Sequence, residues 1–284
     1  MFVLILLQFG LFINMVLLNP EFYIGRLNAT NYYQELRAEI DLGLENLSMI
    51  TSIPVKVLTD TIKDDAIVEL SNHNINEAAD FMKYKTDIVE NSVDVKTIEY
   101  PLNLFIEDYA ERNDLELEKT QIEQINDVAA DVAGIVSNHT VLFNINAVKN
   151  YKEFQRFQSL IFLFYKNWYL TALASILCIA FLAALNTRRF RRVLLWTGSS
   201  MIAASLMTII PTVLALVYRI PYRLNIATIY LNNAVKAFTL GYIQFFLSTG
   251  SILCLLGILC LIMYMNLSNQ AIKTMKVRSQ ELID

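Results

Sequence analysis

Four stretches of the chain are apolar on every side. Between the first two lies a long segment whose apolar residues recur every three or four positions. The first stretch, Met1 to Leu18, carries no charged side chain and is closed by Asn19-Pro20. The second, Trp168 to Leu185, lies between Lys166 and Arg188, and the third, Val193 to Tyr218, is uncharged until Arg219. The fourth, Phe238 to Met265, sits in a charge-free run from Ala237 to Ile272. A helix needs about 20 apolar residues to cross a bilayer, and a soluble helix of such length shows a polar face. The pattern predicts four transmembrane helices, at 1–18, 168–185, 193–218 and 238–265.

Residues 19–157 read as a helical domain between spans one and two. Tyr33, Leu36, Ile40, Leu44 and Leu47 form one helical stripe, preceded by the capping residues of Asn28-Ala29-Thr30-Asn31. Ser52-Ile53-Pro54 predicts a cap followed by proline in a helix's first turn. Thr61 to Leu70 predicts a short helix with Ile62, Ala66, Ile67 and Leu70 inward. Pro101 is expected to open the helix carrying Leu104, Phe105 and Tyr109. Ile122, Ile125, Val128, Val132 and Ile135 mark a longer helix. Asn72-His73-Asn74-Ile75-Asn76 and Glu111-Arg112-Asn113-Asp114 read as turns, and no Asn-Gly or Asp-Gly hairpin signal occurs. The fold class is therefore all-α: four transmembrane helices plus a helical extracytoplasmic domain between spans 1 and 2. Domain boundaries fall at 1–18, 19–157 and 158–284.

Two junctions carry their own pattern. Val148, Tyr151, Phe154 and Phe157 lead into span two with no intervening proline or glycine, which predicts one continuous helix from domain to membrane. Ile226, Ile229, Tyr230, Ala234 and Ala237 keep helical spacing, so span four is expected to extend outward and pack under the outer domain.

Charge sets the orientation. Residues 19–157 hold 25 acidic and 12 basic side chains, whereas the remainder holds 2 and 11. Such asymmetry places the two parts in different surroundings. The link Asn186-Thr187-Arg188-Arg189-Phe190-Arg191-Arg192 has four arginines in seven residues, and the tail adds Lys273, Lys276 and Arg278. Basic residues in short loops stay cytoplasmic. Both termini are then expected in the cytoplasm and 19–157 outside the cell membrane. Arg219, Arg223 and Lys236 are a weaker, dispersed counter-signal. The topogenic reading of the arginines outweighs nucleic-acid binding, and no nucleic-acid partner is expected. Met15 to Asn19 offers no small-residue cleavage site, so the first span reads as a retained anchor. Its lack of a basic leading region suggests a natural start further upstream.

Candidate chemistry is sparse. His73 and His139 stand in polar, turn-like contexts without ligand-spaced partners, and Cys178, Cys254 and Cys260 all lie in apolar blocks. No phosphate-binding glycine loop, His-Glu-x-x-His or Gly-x-Ser-x-Gly occurs. Asp64-Asp65 and Glu107-Asp108 lack the calcium-loop pattern and read as solvated helix faces. No catalytic, cofactor-binding or metal residue is assigned, no cofactor is expected, and the chain reads as a non-enzyme. The spans as drawn contain no ionisable Asp, Glu, Lys, Arg or His, which argues against an ion-coupled transporter. Gln244 is singled out as their strongly polar side chain. Small residues around Gly198, Ala203 and Ser205 on span three, and Gly250, Cys254 and Gly257 on span four, predict close helix contacts. Packing within one subunit is favoured over self-association. Pro211 is expected to kink span three.

The stretches Asn19-Pro20-Glu21-Phe22-Tyr23, Asn31-Tyr32-Tyr33 and Ser52-Ile53-Pro54 resemble a loose group of uncharacterised membrane proteins of low-GC Gram-positive bacteria. The resemblance implies an anchor, a helical outer domain and three further spans, and it brings no activity, cofactor or site. Besides the lipid bilayer, the leading expectation is a protein partner, bound or sensed by the acidic outer domain. The alternative is a homo-oligomeric channel or pore, and a membrane-bound hydrolase would need a polar pocket that the sequence does not suggest.

Overall fold

In the computed structural model the described residues are 1–87, 95–112, 119–186, 190–224 and 226–280, and these form helices and turns with no strand. Asn113 and Asp114 of one expected turn, and Thr187, Arg188 and Arg189 of the arginine-rich link, lie outside them. The chain divides into an apolar unit (Met1–Leu18, Leu160–Leu224, Thr239–Asp284) and an acidic unit (Asn19–Ser159, Asn225–Phe238).

The acidic unit opens with α2 (Pro20–Asn28), α1 being the first helix of the apolar unit. Asn19 Oδ1 accepts from the Glu21 amide at 3.2 Å and Pro20 fills the first turn, where no amide is needed. The central helix is α3 (Tyr32–Thr51). Thr30 Oγ1 accepts from the Tyr32 amide at 3.3 Å, and the buried stripe is Tyr32, Leu36, Ile40, Leu44 and Leu47. The stripe thus starts at Tyr32, one residue before the expected Tyr33. Around α3 pack α2, α4 (Val55–Asp60), α5 (Asp64–Met82) and α7 (Lys119–Thr140), and α6 (Val95–Arg112) lies on α7 and α4. Gly43 lets α7 approach, since a Cβ there would meet Ile135 Cγ2 at 2.9 Å.

Several sequence expectations need correction. α5 runs unbroken through Asn72–Asn76, which was read as a turn. Its inward face is Ile67, Ser71, Asn74, Ile75 and Ala78, and Ala66 is exposed. Two polar residues on that face disguise the stripe, and both are satisfied through their donors. Ser71 Oγ donates to Ile67 O at 2.8 Å, and Asn74 Nδ2 donates to Thr140 Oγ1 of α7 at 3.3 Å. Pro101 lies inside α6, and the buried side chains are Ile98, Leu102 and Ala110, with Leu104 exposed. Glu111 and Arg112 end that helix instead of forming a turn. The cap of α4 is Pro54 itself, two residues after the expected Ser52, and the helix starts at Val55. Within α7 the inward residues include Val128, Val132 and Val136; the side chains of Ile122, Ile125 and Tyr109 lie outside the description.

After α8 (Ile145–Val148), α9 is one helix over Lys152–Leu185. Its first residues belong to the acidic unit, where Gln158 Nε2 donates to Phe81 O at 2.8 Å. The continuous helix expected from Val148 is corrected: Val148 ends α8, residues 149–151 form a turn, and the unbroken helix begins only at Lys152.

The apolar unit contains α1 (Phe2–Phe12), the rest of α9, α10 (Phe190–Val217), α11 (Ile220–Arg223) and the greater part of α12 (Ile229–Gln280). Three helices, in α9, α10 and α12, are long and apolar enough to cross a membrane; a bent pair beginning with α1 makes the number up to four. Outward side chains such as Ile176 and Phe181 are about two-thirds exposed, as suits lipid and not water. α10 continues through Pro211. The small residues serve contacts inside the chain: a Cβ on Gly198 would stand 2.8 Å from Gly257 O, and one on Gly257 2.9 Å from Gly198 O. Gly250 is equally tight against Ile209. α1 ends in a π-turn, Ile13–Leu17. There Asn14 Nδ2 donates to Gly10 O at 3.0 Å and to Tyr165 O of α9 at 3.5 Å.

Candidate interaction surface

The distal end of α3 combines ordered backbone with exposed apolar side chains. Opposite the buried stripe stand Leu42 and Met49, seven residues apart and therefore on one face, and Ile50 flanks the stripe near the helix end. Met49 is 72% exposed and Ile50 82%, whereas Leu44 and Leu47 on the other side are buried. The helix stops at Ser52, whose φ of 59° is left-handed. Ser48 Oγ donates to Ile53 O at 2.6 Å, and the Ser52 amide donates to Ser48 O at 2.9 Å. Pro54, extended at ψ 132°, then starts α4 with Val55 and Lys56 exposed. The left-handed residue, the serine clamp and the proline hold Met49, Ile50, Pro54 and Val55 at one outward corner. Glu45, Lys56 and Asp60 are exposed nearby in sequence and supply both signs of charge.

Exposed single hydrophobics are ordinary, whereas contiguous exposed apolar patches in general mark contact sites. The chemistry available is burial: covering one such side chain contributes about 1.5–3 kcal/mol.

The polar groups that drew attention in the sequence have structural employment. Asp64 pairs with Arg37 at 3.3 Å, and Arg37 also pairs with Asp41 at 2.9 Å. The same guanidinium donates to Ile62 O and Thr59 O, tying α3 to α4 and α5. Asp108 pairs with Arg112 at 2.8 Å. Both histidines sit in helices and not in turns: His73 lies 3.4 Å from Glu77, and His139 Nδ1 lies 2.7 Å from Ile135 O. Among the described residues no three His, Cys, Asp or Glu side chains gather as a metal site.

A second cluster joins the start of α12 to α3 and α7 within the acidic unit. Asn233 Nδ2 donates to both oxygens of Glu35 at 2.9 Å. Tyr230 is buried against the Tyr32 ring, centroids 5.7 Å apart, and its hydroxyl donates to His139 O at 3.4 Å. Phe238 packs edge-on to Tyr23 at 5.0 Å. Burial pushes the Tyr32 phenol well above its usual range, with Tyr230 and Tyr33 adding to the effect. Tyr33, raised by burial too, donates to Asn72 Oδ1 at 2.7 Å. This cluster is a packing joint: its donors and acceptors, apart from the Tyr32 hydroxyl and Asn232 Oδ1, point at each other.

Sequence reading assigned no site and passed over the α3 corner. The signal was present as Leu42 and Met49, nearly half a turn off the core stripe, with Ile50 at its flank. It also passed over Gln8 and Asn14, polar residues of the first apolar stretch, in favour of Gln244.

These features define the class: an all-helical protein combining three to four helices fit to cross a membrane with an acidic helical unit. No protein-family model matches the chain, and neither a curated protein nor a solved structure is significantly similar to it.

Proposed function

We propose that this is a multi-pass protein of a cell membrane whose acidic helical unit lies outside the cytoplasm and binds a protein partner, without catalysis. In this reading α1 and its π-turn form a fourth span, and the arginine-rich link and the tail are cytoplasmic. The observation that carries it is the exposure of Met49 and Ile50, 72% and 82%, beside exposed Pro54 and Val55 at the turn from α3 to α4. Apolar anchors with a mixed-charge rim suit a polypeptide surface. Within the chain the glycine faces of α10 and α12 are already used, which weighs against their being the seam of a ring.

The test is site-specific photocrosslinking in the native membrane. Benzoylphenylalanine at Met49 is expected to give a defined polypeptide adduct, and the same group at Asn76, an exposed polar position of α5, none. Absence of an adduct at Met49, or an adduct with lipid alone, contradicts the reading.

A further inference from the structure

Directly after α10 the chain reads Tyr218-Arg219-Ile220-Pro221-Tyr222-Arg223-Leu224, a tyrosine-arginine-aliphatic triplet written twice around a proline. α10 stops here because Arg219 turns left-handed, at φ 52°, and its amide donates to Leu216 O at 2.9 Å. The Tyr222 amide donates to Arg219 O at 3.0 Å, and the buried Pro221 fixes the first turn of α11. The other six side chains are exposed, Tyr218 by 58% and Tyr222 by 61%. An ordered turn thus presents two aromatic, two aliphatic and two cationic side chains together.

Charge and length decide what such a turn meets. The apolar unit has no Asp or Glu before Glu281 and Asp284 in the last four residues, so nothing in α1, α10 or its parts of α9 and α12 neutralises Arg219 and Arg223. Neither guanidinium makes an ion pair or a hydrogen bond among the described residues. Arg192, exposed in the first turn of α10, and Arg219 are 27 residues apart, roughly 40 Å at the helical rise. A bilayer with its headgroups is about 40–45 Å thick. A crossing helix with Arg192 in one headgroup layer therefore brings Arg219 to the other.

We propose that the 218–224 turn binds an anionic phospholipid, with Arg219 and Arg223 supplying the counter-charge to its headgroup. A guanidinium offers paired N–H donors that match phosphate oxygens. The rings of Tyr218 and Tyr222 belong at the same depth, and Ile220 and Leu224 suit the start of the acyl chains. A zwitterionic headgroup carries its own ammonium, which competes with the arginines, so a net negative headgroup is the better match. A water-soluble anion would leave the rings and aliphatic side chains in water. The site requires only that α10 crosses a bilayer, and is independent of any partner at the α3 corner.

Fluorescence quenching by brominated lipid reads the preference at the turn itself. In the full chain, Trp168→Phe and Trp196→Phe remove both native tryptophans, and Tyr222→Trp puts a single one in the turn. The chain is reconstituted into mixed vesicles of phosphatidylcholine and phosphatidylglycerol, with one lipid at a time carrying bromine on its acyl chains. Phosphatidylglycerol is expected to be preferred several-fold beside this position. Adding Arg219→Gln with Arg223→Gln is expected to bring the ratio close to one. Equal quenching by the two lipids in the chain with both arginines overturns the proposal, and so does a preference that the double substitution leaves intact. No quenching by either lipid would place this end of α10 outside a bilayer, and would contradict the spanning reading together with the proposal. If the double variant does not fold, the comparison of the two lipids in the chain with both arginines decides alone.

Discussion

Tyr32 shows how much one side chain settles in the acidic unit. Its ring is fully buried against Tyr33 and Tyr230, while its hydroxyl has no partner. Removing an unsatisfied buried hydroxyl is neutral to favourable, so Tyr32→Phe is expected to stabilise the chain by up to about 1 kcal/mol at neutral pH. The pH dependence has a definite sign. The phenol ionises near 10 in an unfolded chain and well above that when folded. Its contribution is intact below that value and is lost as pH rises beyond it. Denaturation followed by circular dichroism is expected to show the wild type weakening in strong alkali and Tyr32→Phe weakening less. Equal alkaline sensitivity in the two chains contradicts this account of the phenol. At the joint with α12, Asn233→Leu removes the donor shared by both Glu35 oxygens and is expected to cost about 1.5–3 kcal/mol in the same measurement.

Elements were legible where one residue type ran through the whole stripe. Leu36, Ile40, Leu44 and Leu47 announce α3, and the apolar runs of α9, α10 and α12 announce themselves. α5 was not legible, because Ser71 and Asn74 take inward places that a periodicity count reserves for apolar residues. Their compensation, through the bonds to Ile67 O and Thr140 Oγ1, exists only once the chain has folded. Pro101 misled for a related reason: proline favours a helix's first turn, yet here Val95 to Tyr100 precede it in the same helix. Gln8 lies in a stretch that otherwise reads as apolar, and its burial shows only once the helices pack. The helix pair α10–α12 yields the element-scale prediction. Gly257→Leu forces a side chain into space where a bare Cβ already stands 2.8 Å from Ile202 Cγ1. Overpacking of this kind costs about 1–3 kcal/mol, seen as a lower melting temperature in detergent. Ser199→Leu, on an exposed position of α10, is expected to leave it unchanged.

For the whole molecule, the two units divide the charge as they divide the apolar surface. The acidic excess is confined to residues 19–157, and outside that segment basic side chains outnumber acidic ones 11 to 2. An acidic, cysteine-free segment and an arginine-rich link separated in sequence by an apolar run are what the proposed orientation requires. The measurement that tests this most directly is thiol labelling on intact cells, in a chain whose Cys178, Cys254 and Cys260 are replaced by alanine. Ser52→Cys, at the exposed end of α3, is expected to react with a membrane-impermeant maleimide at once. Asn269→Cys, toward the tail, is expected to react only after the membrane is permeabilised. Labelling of Asn269→Cys alone on intact cells, or of both positions, would contradict the proposed arrangement.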